Sequence, residues 1–235
     1  DPIGSRGLGD VYKRQSFSIV SEEKSVDFIK TINHRKFHKK HGGVIPEIAA
    51  RQHLDIMDYL QKSIKKLDFK KIDAIAATYG PGLIGGLIVG SSFAKGLSIG
   101  KQKKLIPINH LQAHLLSPRL TSSLSFPYLC LLVSGGNTAL VLVKNPKKFI
   151  TLGSTIDDSA GECFDKVSKA LGLGYPGGPI IEKLALKGDR YKYKLPLPLT
   201  KVKNCNFSFS GLKTAAIDSI NTVSYTHLTL PTRLS

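Results

Sequence analysis

The sequence predicts a two-lobed α/β protein, on three observations. Strands precede helices in each half of the chain, a serine-rich connection ending in proline separates the halves, and no apolar run approaches the ~20 residues of a membrane-spanning helix. Among 235 residues, Cys130, Cys163 and Cys205 are the three cysteines, far apart and without CxxC spacing. That pattern gives neither a disulfide framework nor a zinc ribbon and suits a reducing compartment. The amino terminus lacks a charged stretch followed by an apolar one and a cleavage site. A soluble, cytoplasmic protein without membrane association is therefore expected.

The elements follow from residue spacing. Residues 16–20 and 25–32 have the short alternating character of strands, and a basic turn over 33–43 follows them. Pro46 suits a helix start, and Ile48, Leu54, Met57, Leu60, Ile64 and Leu67 recur behind it at helical spacing, which predicts a helix over 47–67. Residues 73–78 make a short apolar strand, 80–86 a glycine-rich turn, 87–99 a helix and 105–108 another strand, together a strand–helix–strand unit. After the connection at 121–127, residues 128–133, 138–143 and 149–155 read as three strands, the first two joined at Ser134-Gly135-Gly136-Asn137. Helices are expected over 160–171 and 179–187. The halves share this order without a repeat in the sequence itself.

The ends are read separately. Asp10-Val11-Tyr12-Lys13-Arg14-Gln15 back-translates to the end sequence used in transposon-based DNA library preparation, and Ser224-Tyr225-Thr226-His227-Leu228 reads as its complementary strand. Residues 1–15 and 223–235 are accordingly expected to be non-native scars and are set aside. The formal charge is +17, and the positive excess survives this trimming, since 30 basic and 15 acidic side chains remain, a net +15. Such a charge attracts phosphates and releases counterions from a nucleic acid. It is equally what an AT-rich coding sequence produces by writing lysine wherever a solvated position tolerates it. The lysines are spread widely, and no aromatic residues are read as alternating with them in the way a stacking platform requires.

Several motifs carry chemistry. Gly80-Pro81-Gly82-Leu83-Ile84-Gly85 matches GxGxxG between a strand and a helix, but no acidic residue follows before Asp157 to hold a ribose, and Pro81 removes a backbone N–H from the turn. A close-packing turn or the backbone lining of a cleft remain. His110 and His114, at i and i+4 after a strand, share one helical face and suit a metal, although Leu111 stands where a zincin carries glutamate. The turn at Ser134–Asn137 is either a glycine cradle for an anion or an ordinary hairpin, and GxSxG is absent. Asp157, Asp158, Glu162 and Asp165 form the densest acidic group, able to hold ribose hydroxyls or a cation. Alternatively they form a helix start, with Asp158 near the cap, Asp157 favoured by the helix dipole, and Glu162–Lys166 and Asp165–Lys169 as surface pairs. Tyr175-Pro176-Gly177-Gly178-Pro179 is a rigid turn into a helix, with Gly178 best placed to admit a ligand against the backbone.

His41-Gly42-Gly43-Val44-Ile45-Pro46-Glu47, Gly80-Pro81-Gly82-Leu83, the two histidines, the run Leu132-Val133-Ser134-Gly135-Gly136, and residues 156–166, 175–179 and 207–214 fall in one order. In this the chain resembles the universal tRNA threonylcarbamoyladenosine transferase family of the actin-like ATPase superfamily, once described as glycoproteases, over residues 16–222. The resemblance implies the actin-like ATPase (ribonuclease H-like) fold with duplicated lobes at 16–124 and 125–222. It implies that the fold is incomplete, lacking its first strand with an acidic, threonine-bearing turn and the end of the second lobe. It implies one divalent metal per subunit, iron in preference to zinc, held by His110 and His114 with a third protein ligand absent from this chain. It also implies an adenylate substrate in contact with Leu132, Val133, Ser134, Gly135, Gly136, Asp165 and Gly178.

The activity so implied is transfer of threonylcarbamoyl from threonylcarbamoyl-AMP to the exocyclic amine of the adenosine 3′ of a tRNA anticodon. Partner subunits of the threonylcarbamoyladenosine synthesis complex are implied with it. No general base is identified, and with both sites incomplete the chain as written is expected to be inactive. Two other classes stand beside this one. An actin-like ATPase or sugar kinase would need Mg-binding carboxylates near the glycine turns, and a noncatalytic module would act through partners alone.

Overall fold

A computed structural model describes residues 14–21, 25–33, 57, 62, 64, 67–82, 84–189 and 191–228. The basic turn expected over 33–43 and most of the helix expected over 47–67 lie outside these, although Met57, Lys62 and Ile64 are helical. Two compact units divide the chain, Asp1–Ser125 and Phe126–Ser235.

In the first unit, β1 (Arg14–Val20) and β2 (Val26–Asn33) pair antiparallel. Phe17 and Phe28 meet edge to face at 6.1 Å, and Ser16 and Thr31 share a 2.8 Å hydroxyl bond across the ladder. Arg14 and Gln15, set aside in the sequence, continue this pairing opposite Asn33 and Ile32. A second sheet in the unit is parallel. It is formed by β3 (Ala74–Gly80) and β4 (Lys104–Asn109), and α1 (Ile84–Gly100) connects them. Parallel strands need such a crossover, and α1 buries Val89, Ala94 and Ser98. Buried Ser98 donates to the Lys103 carbonyl at 2.5 Å, closing the helix onto the turn that leads to β4. Two short helices follow, α2 (His110–Leu116) and α3 (Pro118–Thr121).

The second unit opens with an antiparallel sheet of β5 (Tyr128–Val133), β6 (Thr138–Asn145) and β7 (Lys148–Ser154), in the order β5-β6-β7. Val133 pairs with Thr138, so Ser134–Asn137 is the hairpin loop. The inward residues of β6, Val141 and Val143, form the core with Leu132 and Cys163, and Val143 is fully buried. Then come α4 (Ala160–Ala170), α5 (Gly177–Ala185) and α6 (Ser210–Leu228). The last was not anticipated from spacing, and it includes residues from Val223 onward that the sequence reading set aside. Before α6, Phe207 bridges to Thr155, Phe207 N–H donates to the Ser154 carbonyl (3.1 Å) and Ile156 N–H donates to the Phe207 carbonyl (3.0 Å). A late segment of the chain thus pairs in parallel beside the end of β7.

The overall architecture is a mixture of α and β; each unit opens on strands and ends on helices, but in the first α1 stands between β3 and β4, so the expected order of strands before helices is not kept there.

Candidate functional site

The histidine pair is built by the end of a strand. Asn109 closes β4, and its side chain accepts the Gln112 N–H at 3.1 Å, capping α2 so that His110 is the first helical residue. His114 then lies one turn on. The two Nε2 atoms are 3.0 Å apart, with ring centroids at 4.6 Å and planes inclined by 54°. Without a metal, one ring donates to the other, and the tautomers decide which. With a metal, two nitrogens at ~2.0–2.1 Å from one ion lie at most ~4 Å apart. A 3.0 Å separation fits neighbouring positions of a single coordination sphere, so the pair suits a shared ion. Among the described residues no group of three or more His, Cys, Asp or Glu gathers in a metal-holding arrangement.

The glycine turn belongs to the second unit and is braced from behind by α4. Ser159 caps that helix by accepting the Glu162 N–H (3.2 Å), and the same hydroxyl donates to the Gly135 carbonyl at 2.8 Å. Ala160 N–H donates to Thr138 Oγ1 (2.9 Å) on the other side of the turn. Gly161 lies flat against it, since a Cβ there would stand 2.5 Å from the Ser134 carbonyl oxygen and 2.8 Å from Gly135 Cα. Within the loop, Ser134 Oγ accepts the N–H groups of Asn137 (3.0 Å) and Gly136 (3.4 Å). An anion bound through those two amides would displace the hydroxyl. Gly136 itself faces open space.

Asp165 lies one helical turn beyond Gly161 on α4. Its Oδ1 accepts the Gly177 N–H at 2.6 Å, fixing the start of α5 against α4. Gly177 is buried there, and a Cβ would meet the Phe164 carbonyl and lie 2.5 Å from Ser168 Cβ. This tie explains why α5 begins at Gly177, two residues before the expected Pro179. Gly178, by contrast, has nothing within 4 Å of the place a Cβ would take. Of the remaining expected contacts, the Leu132 side chain is buried in the core and Val133 is exposed.

The acidic group is consumed by structure. Asp157 accepts from Ser208 Oγ (2.5 Å) and from the N–H groups of Phe209 (2.8 Å) and Ser210 (3.3 Å), so it caps α6, whereas its expected role was at the dipole of α4. Asp158 was expected near the cap of α4. Ser159 takes that place, and Asp158 instead joins Lys166 (2.8 Å) and Lys213 (2.6 Å), tying α4 to α6. The Glu162–Lys166 pair forms as expected, at 2.8 Å.

Burial of the Asp157 carboxyl against the helix pushes its pKa up, but the Ser208 hydroxyl and the two N–H groups outweigh this and hold it below the ordinary value, although the residue as a whole is exposed. Asp158 is lowered by its bonds to Lys166 and then Lys213, and Lys166 is raised by Asp158 and then Glu162.

Both aspartates are depressed, so their contribution to stability is complete above the unfolded value of about 3.9 and is lost as pH falls through the lower folded values. Asp158→Asn is therefore expected to lose about 1–2 kcal/mol at neutral pH. Urea unfolding should show the difference from wild type shrinking below about pH 4.

His110 and His114 thus lie in the first unit, and Leu132, Val133, Ser134, Gly135, Gly136, Asp165 and Gly178 in the second. Within the second, α4 links the turn to Asp165 and Gly178. Ser159 and Gly161, which position the turn, are not singled out by the sequence, and Gly177 is read there only as part of a turn. The available signal is a serine at the cap and a glycine in the first turn of α4.

A family model described as tRNA N6-adenosine threonylcarbamoyltransferase matches residues 28–230. Curated proteins of that name are similar over most of this chain. The one from Wolbachia sp. subsp. Brugia malayi is 53% identical over 201 residues, covering 84% of this chain and 60% of its own length. The one from Orientia tsutsugamushi (strain Boryong) is 49% identical over 203 residues, with coverages of 85% and 59%. The Thermotoga neapolitana protein is 48% identical over 202 residues, with coverages of 85% and 62%. The chain spans about 60% of the length of these relatives. On a match over most of its residues, the chain belongs to the tRNA N6-adenosine threonylcarbamoyltransferase family.

Proposed function

We propose that this chain is part of an enzyme that transfers threonylcarbamoyl from threonylcarbamoyl-AMP to the exocyclic amine of an adenosine in tRNA, at the position 3′ of the anticodon. Its fold is of the actin-like ATPase type with duplicated lobes, and it works in the cytoplasm with further subunits. The observation that carries the reading, beside family membership, is the convergence of His110 and His114 at 3.0 Å. They would hold one divalent metal, iron in preference to zinc. When bound, such an ion supplies Lewis acidity and orients the oxygen atoms of the donor.

The chain's own groups bind and position. The backbone of residues 132–136 and the open faces beside Gly136 and Gly178 would receive the adenylate, and Asp165 keeps the Gly177–Gly178 turn in register with α4. In the reaction the amine nitrogen bonds to the carbamoyl carbon while that carbon's bond to the phosphate oxygen breaks, AMP leaves with the electron pair, and the amine releases one proton to water. Donors fixed around that phosphate favour its departure. The chain spans about 60% of the length of its relatives, and residues 1–235 alone are proposed to be inactive.

The kinase alternative is disfavoured by Asp157 and Asp158. These carboxylates nearest the glycine turn in sequence serve helix capping and lysine pairing, which leaves neither open for Mg²⁺. A chimera separates the readings: residues 28–222 replace the matching part of the Wolbachia relative, which supplies the remaining length. Calorimetry should show it binding a non-hydrolysable threonylcarbamoyl-AMP analogue, without turnover of ATP on a small acceptor. Steady ATP-dependent phosphorylation of a sugar with no analogue binding would establish the kinase instead.

A further inference from the structure

Between α5 and α6 lies a surface that neither the histidines nor the glycine turn uses. Residues 186–205 form no helix or strand among those described, and nearly all of them are exposed. Tyr191 is 82% exposed and Tyr193 49%, with Leu186 and Leu197 at 84% and 80%. Six basic residues and one acidic residue, Asp189, fall within 186–205. Tyr191-Lys192-Tyr193-Lys194 is an alternation of ring and cation, and it corrects the view that no aromatic residues alternate with the lysines.

The chain is shaped locally to present it. Asp189 Oδ1 accepts the Tyr191 N–H (2.9 Å) and its carbonyl accepts the Lys192 N–H (3.3 Å), forming a turn with Tyr191 at its edge. Lys192 Nζ then lies over the Tyr193 ring, 5.8 Å from its centre, so cation and ring are held together on this surface.

We propose that this segment is a docking surface for single-stranded RNA, with lysines on the phosphates and bases stacked on Tyr191 and Tyr193. Base–aromatic stacking tolerates any sequence, and a cationic track beside the rings follows the backbone. The strong excess of positive charge complements a polyanion. A lipid surface is less well matched, because interfacial binding takes an amphipathic helix with an apolar face, and this segment has no helix. The inference rests on the proposed function for the choice of RNA as the polyanion, and it concerns binding, not transfer.

The test uses the full chain and a labelled RNA hairpin with an unpaired loop, followed by fluorescence anisotropy over a range of KCl. Tyr191→Ala with Tyr193→Ala should weaken binding about tenfold per ring, and the two Phe variants should restore it. Lys192→Gln with Lys194→Gln should make the dependence of log affinity on log salt shallower by about 1.4. Urea midpoints matching wild type would show that these exposed substitutions leave the fold intact. Wild-type RNA binding that is indifferent to all four substitutions overturns the surface and leaves the transferase reading standing. Absence of RNA binding by wild type overturns the surface and counts against that reading as well. Capture of phosphatidylserine vesicles in preference to RNA overturns the surface in favour of a lipid.

Discussion

Gly161→Val is expected to destabilise the second unit by about 3 kcal/mol or more. A Cβ at this position would stand within 3.0 Å of three backbone atoms, the Ser134 carbonyl oxygen, Gly135 Cα and Gly135 N. Flexible side chains could retreat from such an intrusion, but a hairpin backbone held by its own ladder cannot. Relief therefore requires α4 to lift away from the turn. That movement breaks the Ser159–Gly135 and Ala160–Thr138 bonds together and leaves Thr138, only 3% exposed, without the donor its hydroxyl oxygen meets. Urea unfolding of wild type and variant gives the value, and a loss under about 1 kcal/mol would mean that the helix and turn are not packed as described.

His110→Ala with His114→Ala carries the second large effect. In the chimera, the double variant is expected to lose its bound metal and at least about a hundredfold in transfer rate. Folding should be nearly unaffected, because both rings are only half-buried and α2 keeps its Asn109 cap. Elemental analysis after dialysis reports the metal, and circular dichroism reports the fold. Retention of one ion per chain in the double variant would place the metal elsewhere.

Local features were legible in the sequence. The histidine pair depends on a spacing of four within one helix, and the hairpin at Ser134–Asn137 on glycines between two apolar strands, so both could be read from neighbours alone. The strand–helix–strand unit over β3, α1 and β4 was legible for the same reason. Other features depend on partners far along the chain. Asp157 and Asp158 looked like a candidate ligand cluster or a helix start, but their partners Ser208 and Lys213 lie 51 and 55 residues away. No spacing rule reaches that distance. Helix α6 did have a local signal, since Leu212, Ala215, Ala216, Ile217 and Ile220 recur at helical spacing and are at least partly covered. The Tyr191–Lys194 alternation covers only four residues, too few to stand out in a chain whose lysines are spread throughout.

The central claim is that these residues belong to a threonylcarbamoyl transferase whose adenylate turn is braced by α4. The most direct measurement is transfer of labelled threonylcarbamoyl from its AMP adduct to tRNA by the chimera, alongside its Gly161→Val and double-histidine variants. The account predicts label on the adenosine 3′ of the anticodon with the unsubstituted chimera and little or none with either variant. A folded chimera that binds tRNA and the adduct yet leaves the RNA unlabelled, or a double-histidine variant that labels it at the full rate, would contradict it.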